Sequence, residues 1–555
     1  MHIPLERDKT VPLARQIQEH LERLITEGRL VPGVKLPATR ELAQALGVNR
    51  ATVALAYEDL CAAGLVRAHV GQGTFVADRE PGPEATADRP SGRAEPHPPR
   101  TGHPRTERAT RSPLQQNRAS GAPAFSNRPP ADQGEHATPA PIDWPALFSR
   151  SSRAVAADEE RARALGAGLR VPEGAVSFAG GMPDSGLFPT DAFRRVLNDV
   201  IREEGESLLQ YYPAGGYPPL RRYLAAYLLR FGIEARPEEI LIVNGSQQGF
   251  DLIARTLVDP GDAVAIEQPT YPRAMQVFRA AGATLLTVDW DEAGPRVDAF
   301  ERLLERHGPK LLYCQPSAHN PTGLTLRPET GRRLLAAAAR HQVPVVEDGF
   351  DGSLDYGARP ARPLKALDAH GLVVYIGTFS KVLFPGLRLG WLVAAPALIE
   401  RLQGAKQLAD LHTSALIQAA AHRFCERRLL DRHAARIRAE YGRRRTLLLD
   451  ALRRRMPEGV TWTEPAGGFS LLVTLPAGLD AAALLPRALA RGVAYTPGAA
   501  FFVDGAGERT LRLSFSSVAP GRIGEGVRRL AETIRAERRE PGRRPAAARA
   551  AVPVV

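Results

Sequence analysis

The chain has 555 residues, too many for one ordinary domain and enough for two or three. Hydrophobic residues at 44% can build a real core and the charged fraction of 24% is that of a soluble protein, which excludes a wholly disordered chain. The net charge of +12 raises the prospect of an anionic partner, but much of the arginine lies in low-complexity stretches that it also keeps solvated, so charge alone does not establish DNA binding.

The opening residues, MHIPLERDKTVPLARQ, carry charges where a signal peptide has an apolar core, and no apolar run approaches the length of a membrane span. A cytoplasmic protein without a membrane partner is expected. Leu13, Ile17, Leu21, Leu24 and Ile25 recur at helical spacing and predict an amphipathic helix over 12–28, ended by Gly28 and Pro32-Gly33. The string LPATRELAQALGVNRATVALAYEDLCAAGLV follows. It reads as two helices joined at Gly47-Val48, with Asn49 suited to cap the second and Ala43, Leu46, Val48, Val53 and Leu60 available to pack the pair. LVRAHVGQGTFVA, residues 65–77, adds two strands around a Gly-x-Gly turn, a wing. Any short three-helix unit shows such an apolar pattern. What points to nucleic acid is Arg40 at the start of the first helix of the pair, and Arg50 and Thr52 at the start of the second, where side chains reach base edges or phosphates.

Residues 36–66 resemble the GntR family of winged helix-turn-helix regulators, whose pattern LPxxRxLAxxLGVxRxTVxxAYxxLxxxGLV they follow almost throughout. The resemblance implies that Lys35, Arg40, Arg50, Thr52 and the wing glycine Gly71 face double-stranded DNA. Residues 1–78 are therefore expected to form a DNA-binding domain. From 79 to 141 the composition turns to Pro, Gly, Ala, Arg and His, with Phe125 as the one aromatic, and a flexible linker is expected.

A body is expected over 142–534. Short apolar runs (Ile240–Val243, Ala263–Ile266, Leu311–Cys314, Val343–Val346, Val373–Ile376, Leu392–Ala394) alternate with helical patterns such as Arg327–Arg340, which predicts an α/β domain with a mainly parallel sheet. Long helices after about Leu398 and a smaller α+β part from about Val460 complete it, and residues 535–555 are expected to be a disordered basic tail. Cys61, Cys314 and Cys425 are far apart and follow no metal-ligand spacing, so neither a disulfide framework nor a metal site is expected.

The most informative string in the body runs from Tyr375 to Gly390, YIGTFSKVLFPGLRLG. A pyridoxal 5′-phosphate (PLP) protein needs a lysine amine for a Schiff base, hydroxyls and an arginine for the phosphate, and a carboxylate for the ring nitrogen. Lys381, Thr378, Ser380 and Arg388 supply the first three. Of the body's other lysines, Lys310, Lys365 and Lys406, none sits after a strand among hydroxyls. The string resembles the fold-type I aminotransferases, and further pieces fall in that family's order. Ser246 and Gln247, in Asn244-Gly-Ser-Gln-Gln248, open a helix after a strand and suit a phosphate. Asp348 ends an apolar run and is the candidate partner of the pyridinium nitrogen. The resemblance implies that Tyr271 stacks on the ring, Asn320 bonds the phenolic oxygen, Arg512 grips a substrate carboxylate and Tyr211 reaches the phosphate of a neighbouring subunit. Tyr271 also reads simply as a core tyrosine.

A GntR-like head joined by a long linker to an aminotransferase-like body resembles the MocR-type regulators. That implies a domain-swapped homodimer in which PLP, alone or with an amino compound, alters how the heads are presented; the alternative is an active aminotransferase with an accessory head. One departure stands out. Similar regulators commonly have a tyrosine two positions after the acid, where this chain has Phe350. Phenylalanine cannot donate a hydrogen bond to the cofactor's phenolate, a bond contributing roughly 0.5–1.5 kcal/mol net, so slow or absent transamination is expected.

Overall fold

The computed structural model describes Ile3, Leu5 and residues 11–69, 73–77, 142–166, 168, 170–349, 354–357 and 361–539. The linker expected over 79–141, the wing tip Gly71 and Phe350 lie outside the described residues. The chain divides into two compact units, Met1–Gln133 and Gly134–Val555.

In the first unit, α1 (Leu13–Thr26), α2 (Thr39–Leu46) and α3 (Arg50–Ala62) precede an antiparallel pair, β1 (Val66–His69) and β2 (Gly73–Val76), in the register Val66↔Val76. The apolar positions spaced along α1 close a core with α2, α3 and the wing: Ile17, Leu21, Leu42, Val53, Leu60, Val66 and Val76 are all buried, with Leu46 and Val48 packed at its edge. Gly47 takes the left-handed conformation (φ 62°) that ends α2. Asn49 caps α3 as its sequence predicts, its side chain accepting from Ala51 N at 3.0 Å. Tyr57 donates from α3 to Pro37 O at 2.9 Å, fixing the approach to α2.

The second unit is built on an eight-stranded sheet: β3 (Ile240–Val243), β4 (Ala263–Gln268), β5 (Thr284–Asp291), β6 (Gly294–Pro295), β7 (Leu311–Cys314), β8 (Val345–Asp348), β9 (Val373–Thr378) and β10 (Gly390–Val393), in the spatial order β3-β10-β9-β8-β7-β4-β5-β6. β5, β4, β7, β8 and β9 run parallel. β10 is reversed between β9 and β3, and the two-residue β6 is antiparallel to β5, so the sheet is mainly parallel, as the sequence predicts, with these two strands running against the other six. Strand residues alternate between two covered faces: Ile240 and Ile242 enter one core, Leu241 and Val243 another. Helices α4 (Ser246–Leu257), α5 (Pro272–Ala280) and α6 (Pro328–Arg340) connect the strands. α7 (Pro396–Asp410), α8 (Ala415–Glu426) and α9 (Leu429–Arg455) follow, and then a small antiparallel sheet that includes β11 (Ser470–Thr474) and β12 (Thr510–Ser514).

The final helix, α10 (Pro520–Arg539), carries on past the expected end of the body at 534. The reason is polar. Ile534 is its last fully buried apolar residue, yet Arg535 donates to Arg455 O at 2.5 Å, Arg538 to Glu458 O at 3.0 Å, and Glu537 pairs with Arg487. Among the described residues no helix is long and apolar enough to cross a membrane.

Candidate functional site

Parallel strands deliver the residues that follow them to one edge of the sheet, where α/β proteins bind ligands. Here the loops after β3, β4, β7, β8 and β9 converge on a cavity of about 300 Å³ whose lining includes Ser246, Tyr271, Gln315, Asn320, Asp348, Lys381 and Arg512. Six of the predicted cofactor and substrate residues thus meet in one place, although Asn320 and Arg512 are 192 positions apart.

Asp348, the last residue of β8, is buried, and its Oδ2 accepts from Tyr313 Oη at 2.9 Å and from Gln315 Nε2 at 3.2 Å. Burial pushes its carboxyl up to about 7; the Tyr313 hydrogen bond and the nearby Lys381 amine oppose that rise, and Glu267 adds to it. A carboxylate held in this way calls for a cation. Lys381 lies just past β9, with Nζ 3.4 Å from Gly181 O. The other lysines of the body are committed elsewhere: Lys310 to Asp262, Lys365 to Asp368 and Lys406 to Asp410.

Arg512, on β12, is 8% exposed. Its Nη1 donates to Asn320 Oδ1 at 3.0 Å and Nη2 to Thr496 Oγ1 at 3.3 Å, its guanidinium lies 4.9 Å from the Phe501 ring centre, and its Nε has no partner. Burial brings its pKa down to about 10. Among the described residues no carboxylate stands within ion-pair distance of it, so it is a buried cation on the cavity wall. Tyr271 precedes α5 and packs at 6.3 Å from Phe250; burial raises its phenol pKa.

Behind Ser246 lies a second cluster. Gly245 (φ 79°) is the N-cap of α4, and a Cβ there would fall 2.8 Å from Arg388 Nη2, so only glycine lets the two come together. Arg388 itself donates to Asn244 O at 2.9 Å. The buried Thr378 hydroxyl lies 2.9 Å from Ser380 Oγ and 3.3 Å from Leu389 O, and accepts from Ser380 N at 3.1 Å. A helix N-terminus, hydroxyls and a guanidinium are the donor set a phosphate monoester needs, and the deeper cavity holds an amine, a carboxylate in need of a cation and a carboxylate receptor. These residues fit PLP.

Two predicted residues stand apart. Gln247 is exposed and lines an outer groove with Asp251 and Arg255, because one step along a helix turns the side chain by about 100° from Ser246; only its backbone N–H points along the helix N-terminus. Tyr211 is 76% exposed and lines a surface trough with Ile201, Glu204, Ser207 and Gln210. Conversely, Tyr313, Gln315 and Arg273 belong to the site and were not singled out by the sequence. Tyr313 carried one signal, a hydroxyl inside the otherwise apolar run Leu311–Cys314.

In the head, Arg40 is the second residue of α2 and Arg50 the first of α3, both exposed, and Thr52, the third residue of α3, is half-buried. Lys35 is exposed, pairs with Phe75 of the wing and lies 5.8 Å from its ring centre.

The family description "Aminotransferase class I and II" matches residues 180–530, and "Bacterial regulatory proteins, gntR family" matches residues 13–76. The chain is 34% identical over 544 residues to the HTH-type transcriptional regulator TauR of Rhodobacter capsulatus, covering 96% of this chain and all of the relative. It is 30% identical over 527 residues to the probable rhizopine catabolism regulatory protein MocR of Rhizobium meliloti, covering 95% and 94%. The crystal structure of LysN, an α-aminoadipate aminotransferase from Thermus thermophilus complexed with N-(5′-phosphopyridoxyl)-L-leucine, is similar with a TM-score of 0.66 and 38% identity over 71% of this chain and 99% of that one.

Proposed function

Because the chain belongs to the class I and II aminotransferase family and joins that body to a GntR-family head, as MocR-type regulators do, we propose that it is a transcriptional regulator acting in the cytoplasm. It binds double-stranded DNA through the head and senses PLP, or PLP with an amino compound, through the body. The observation that carries this reading is that both halves are intact: exposed arginines start α2 and α3 over a closed core, and Ser246, Tyr271, Asn320, Asp348, Lys381 and Arg512 line one cavity with the Thr378–Arg388 cluster behind Ser246.

When bound, the cofactor supplies an aldehyde for amine chemistry and a protonated ring that withdraws electrons. Lys381 contributes the amine. Asp348, oriented by Tyr313 and Gln315, keeps a proton on the ring nitrogen. Asn320 gives its Oδ1 to Arg512, which leaves Nδ2 to donate to the phenolic oxygen, and Tyr271 covers a ring face. Ser246, Thr378, Arg388 and the backbone at Gln247 hold the phosphate. Arg512 grips the acid group of an amino compound and excludes amines that lack one. Tyr211, solvent-exposed in a single chain, serves the cavity of a second copy, so the working unit is at least a dimer, and the likeness to MocR-type regulators makes it a domain-swapped homodimer.

The rival reading, a working aminotransferase with an accessory head, shares every residue of the cavity, and only the head separates the two. Binding of the full chain to DNA upstream of its own gene, followed by fluorescence anisotropy at fixed salt with and without PLP and amino acids, tests the choice. Arg40→Ala is expected to weaken that binding by about 1–3 kcal/mol if Arg40 meets a base edge, with a shallower salt slope if it meets a phosphate. Absence of sequence-specific binding in the wild type, together with rapid turnover of ordinary amino acids, would favour the rival.

A further inference from the structure

Arg273, the second residue of α5, lines the same cavity as Lys381 and Arg512 and has no part in the assignments above. Its Nη1 donates to Gln276 Oε1, one turn along the helix, at 2.9 Å. That neutral acceptor holds the exposed guanidinium at the cavity mouth without cancelling its charge. Among the described residues no carboxylate lies within ion-pair distance of Arg273; Asp251, which lines the outer groove on its far side, is paired with Arg255 at 2.8 Å. Burial and Asp348 push the Tyr271 phenol up, and Arg273 opposes them ahead of Arg512 and Arg388.

Counting charges identifies the ligand class. Asp348 is matched by the ring nitrogen, and the phosphate by Arg388 and the N-terminus of α4, on the other side of Gly245. Lys381 is committed to the aldehyde. Two guanidiniums, Arg512 and Arg273, are left unassigned on the lining of the cavity of about 300 Å³ that the cofactor shares. A ligand with one carboxylate satisfies Arg512 and leaves the second cation unmatched.

We propose that the amino compound sensed in this cavity carries two acidic groups, its α-acid on Arg512 and its distal acid on Arg273, so that Arg273 is the specificity-determining residue. This rests on the reading that the Lys381 cavity receives an amino compound.

The test is isothermal titration calorimetry of PLP-loaded, full-length protein at fixed ionic strength with L-aspartate, L-glutamate and L-2-aminoadipate, each against its neutral side-chain amide. The longer members probe how far the second acid must reach. At least one acid is expected to bind about tenfold or more tightly than its amide, the scale of one charge-assisted hydrogen bond at a partly exposed rim. Arg273→Gln is expected to erase that preference, Arg273→Lys to keep part of it, and both to leave PLP affinity unchanged. Equal binding of acid and amide by the wild type, or a preference that survives in Arg273→Gln, overturns the proposal alone. So does a loss of PLP affinity without a change in preference, which would make Arg273 a phosphate ligand. No binding by any of the six compounds overturns both this proposal and the reading beneath it.

Discussion

Lys381→Ala is expected to abolish covalent capture of PLP while leaving DNA binding by the head in place. After incubation with PLP, borohydride reduction and proteolysis, the wild type should carry the label on the peptide containing Lys381, and the variant should carry none. The expectation is this sharp because no other lysine of the body can substitute. Lys406 is fully buried against Asp410, Lys365 is tied to Asp368, and Lys310 sits beside Asp262, none of them in the cavity lining. Anisotropy on the same samples gives the second readout: DNA affinity at fixed salt should match that of the wild type without cofactor, and the response to PLP should disappear. A wild-type label on any other peptide removes the covalent half of the account. An unlabelled variant whose DNA binding still responds to PLP would show that the response does not pass through Lys381.

Much of this site was legible in the sequence, because its parts obey local rules. Asn49 announces a cap, a glycine-bearing turn separates α2 from α3, and Asp348 and Lys381 each follow an apolar run that becomes a strand. What stayed hidden depends on contacts between distant segments. Gln315 is one residue past β7 and has no pattern of its own, yet it reaches Asp348 and also accepts from Asn320 N at 2.7 Å. Gln247 reads as a phosphate ligand by adjacency to Ser246, but helical rotation aims its side chain elsewhere. The last helix outruns its apolar pattern because arginine–carbonyl bonds replace hydrophobic burial beyond Ile534. The reversal of β10 is not written in its residues for a related reason: Gly390–Val393 is apolar on both faces whichever way it runs, so hydrophobicity does not encode its direction.

Asp348→Asn is expected to act in opposite directions on the empty and the loaded protein. In the empty protein, burial raises the Asp348 carboxyl from 3.8 to about 7. The folded state therefore binds its proton more tightly than the unfolded state does, and the wild type loses stability as pH climbs from about 4 through 7. A rise of about three units corresponds to an upper bound of roughly 4 kcal/mol once the pH is above both values. Asparagine keeps an oxygen to accept from Tyr313 and Gln315 and never ionises. The cofactor-free variant should accordingly melt several degrees above the wild type at pH 8, with the gap closing toward pH 4. With PLP the order reverses, because a protonated ring nitrogen supplies the cation that the buried carboxylate lacks, and deleting one partner of a buried pair costs about 3–5 kcal/mol. The variant should bind PLP at least about a hundredfold more weakly and gain correspondingly less thermal stability from saturating cofactor. Scanning calorimetry on both proteins at pH 4, 6 and 8, with and without PLP, separates the two effects. If the empty variant is no more stable at pH 8, burial does not tax the carboxylate; if PLP affinity is unchanged, Asp348 does not face the ring nitrogen.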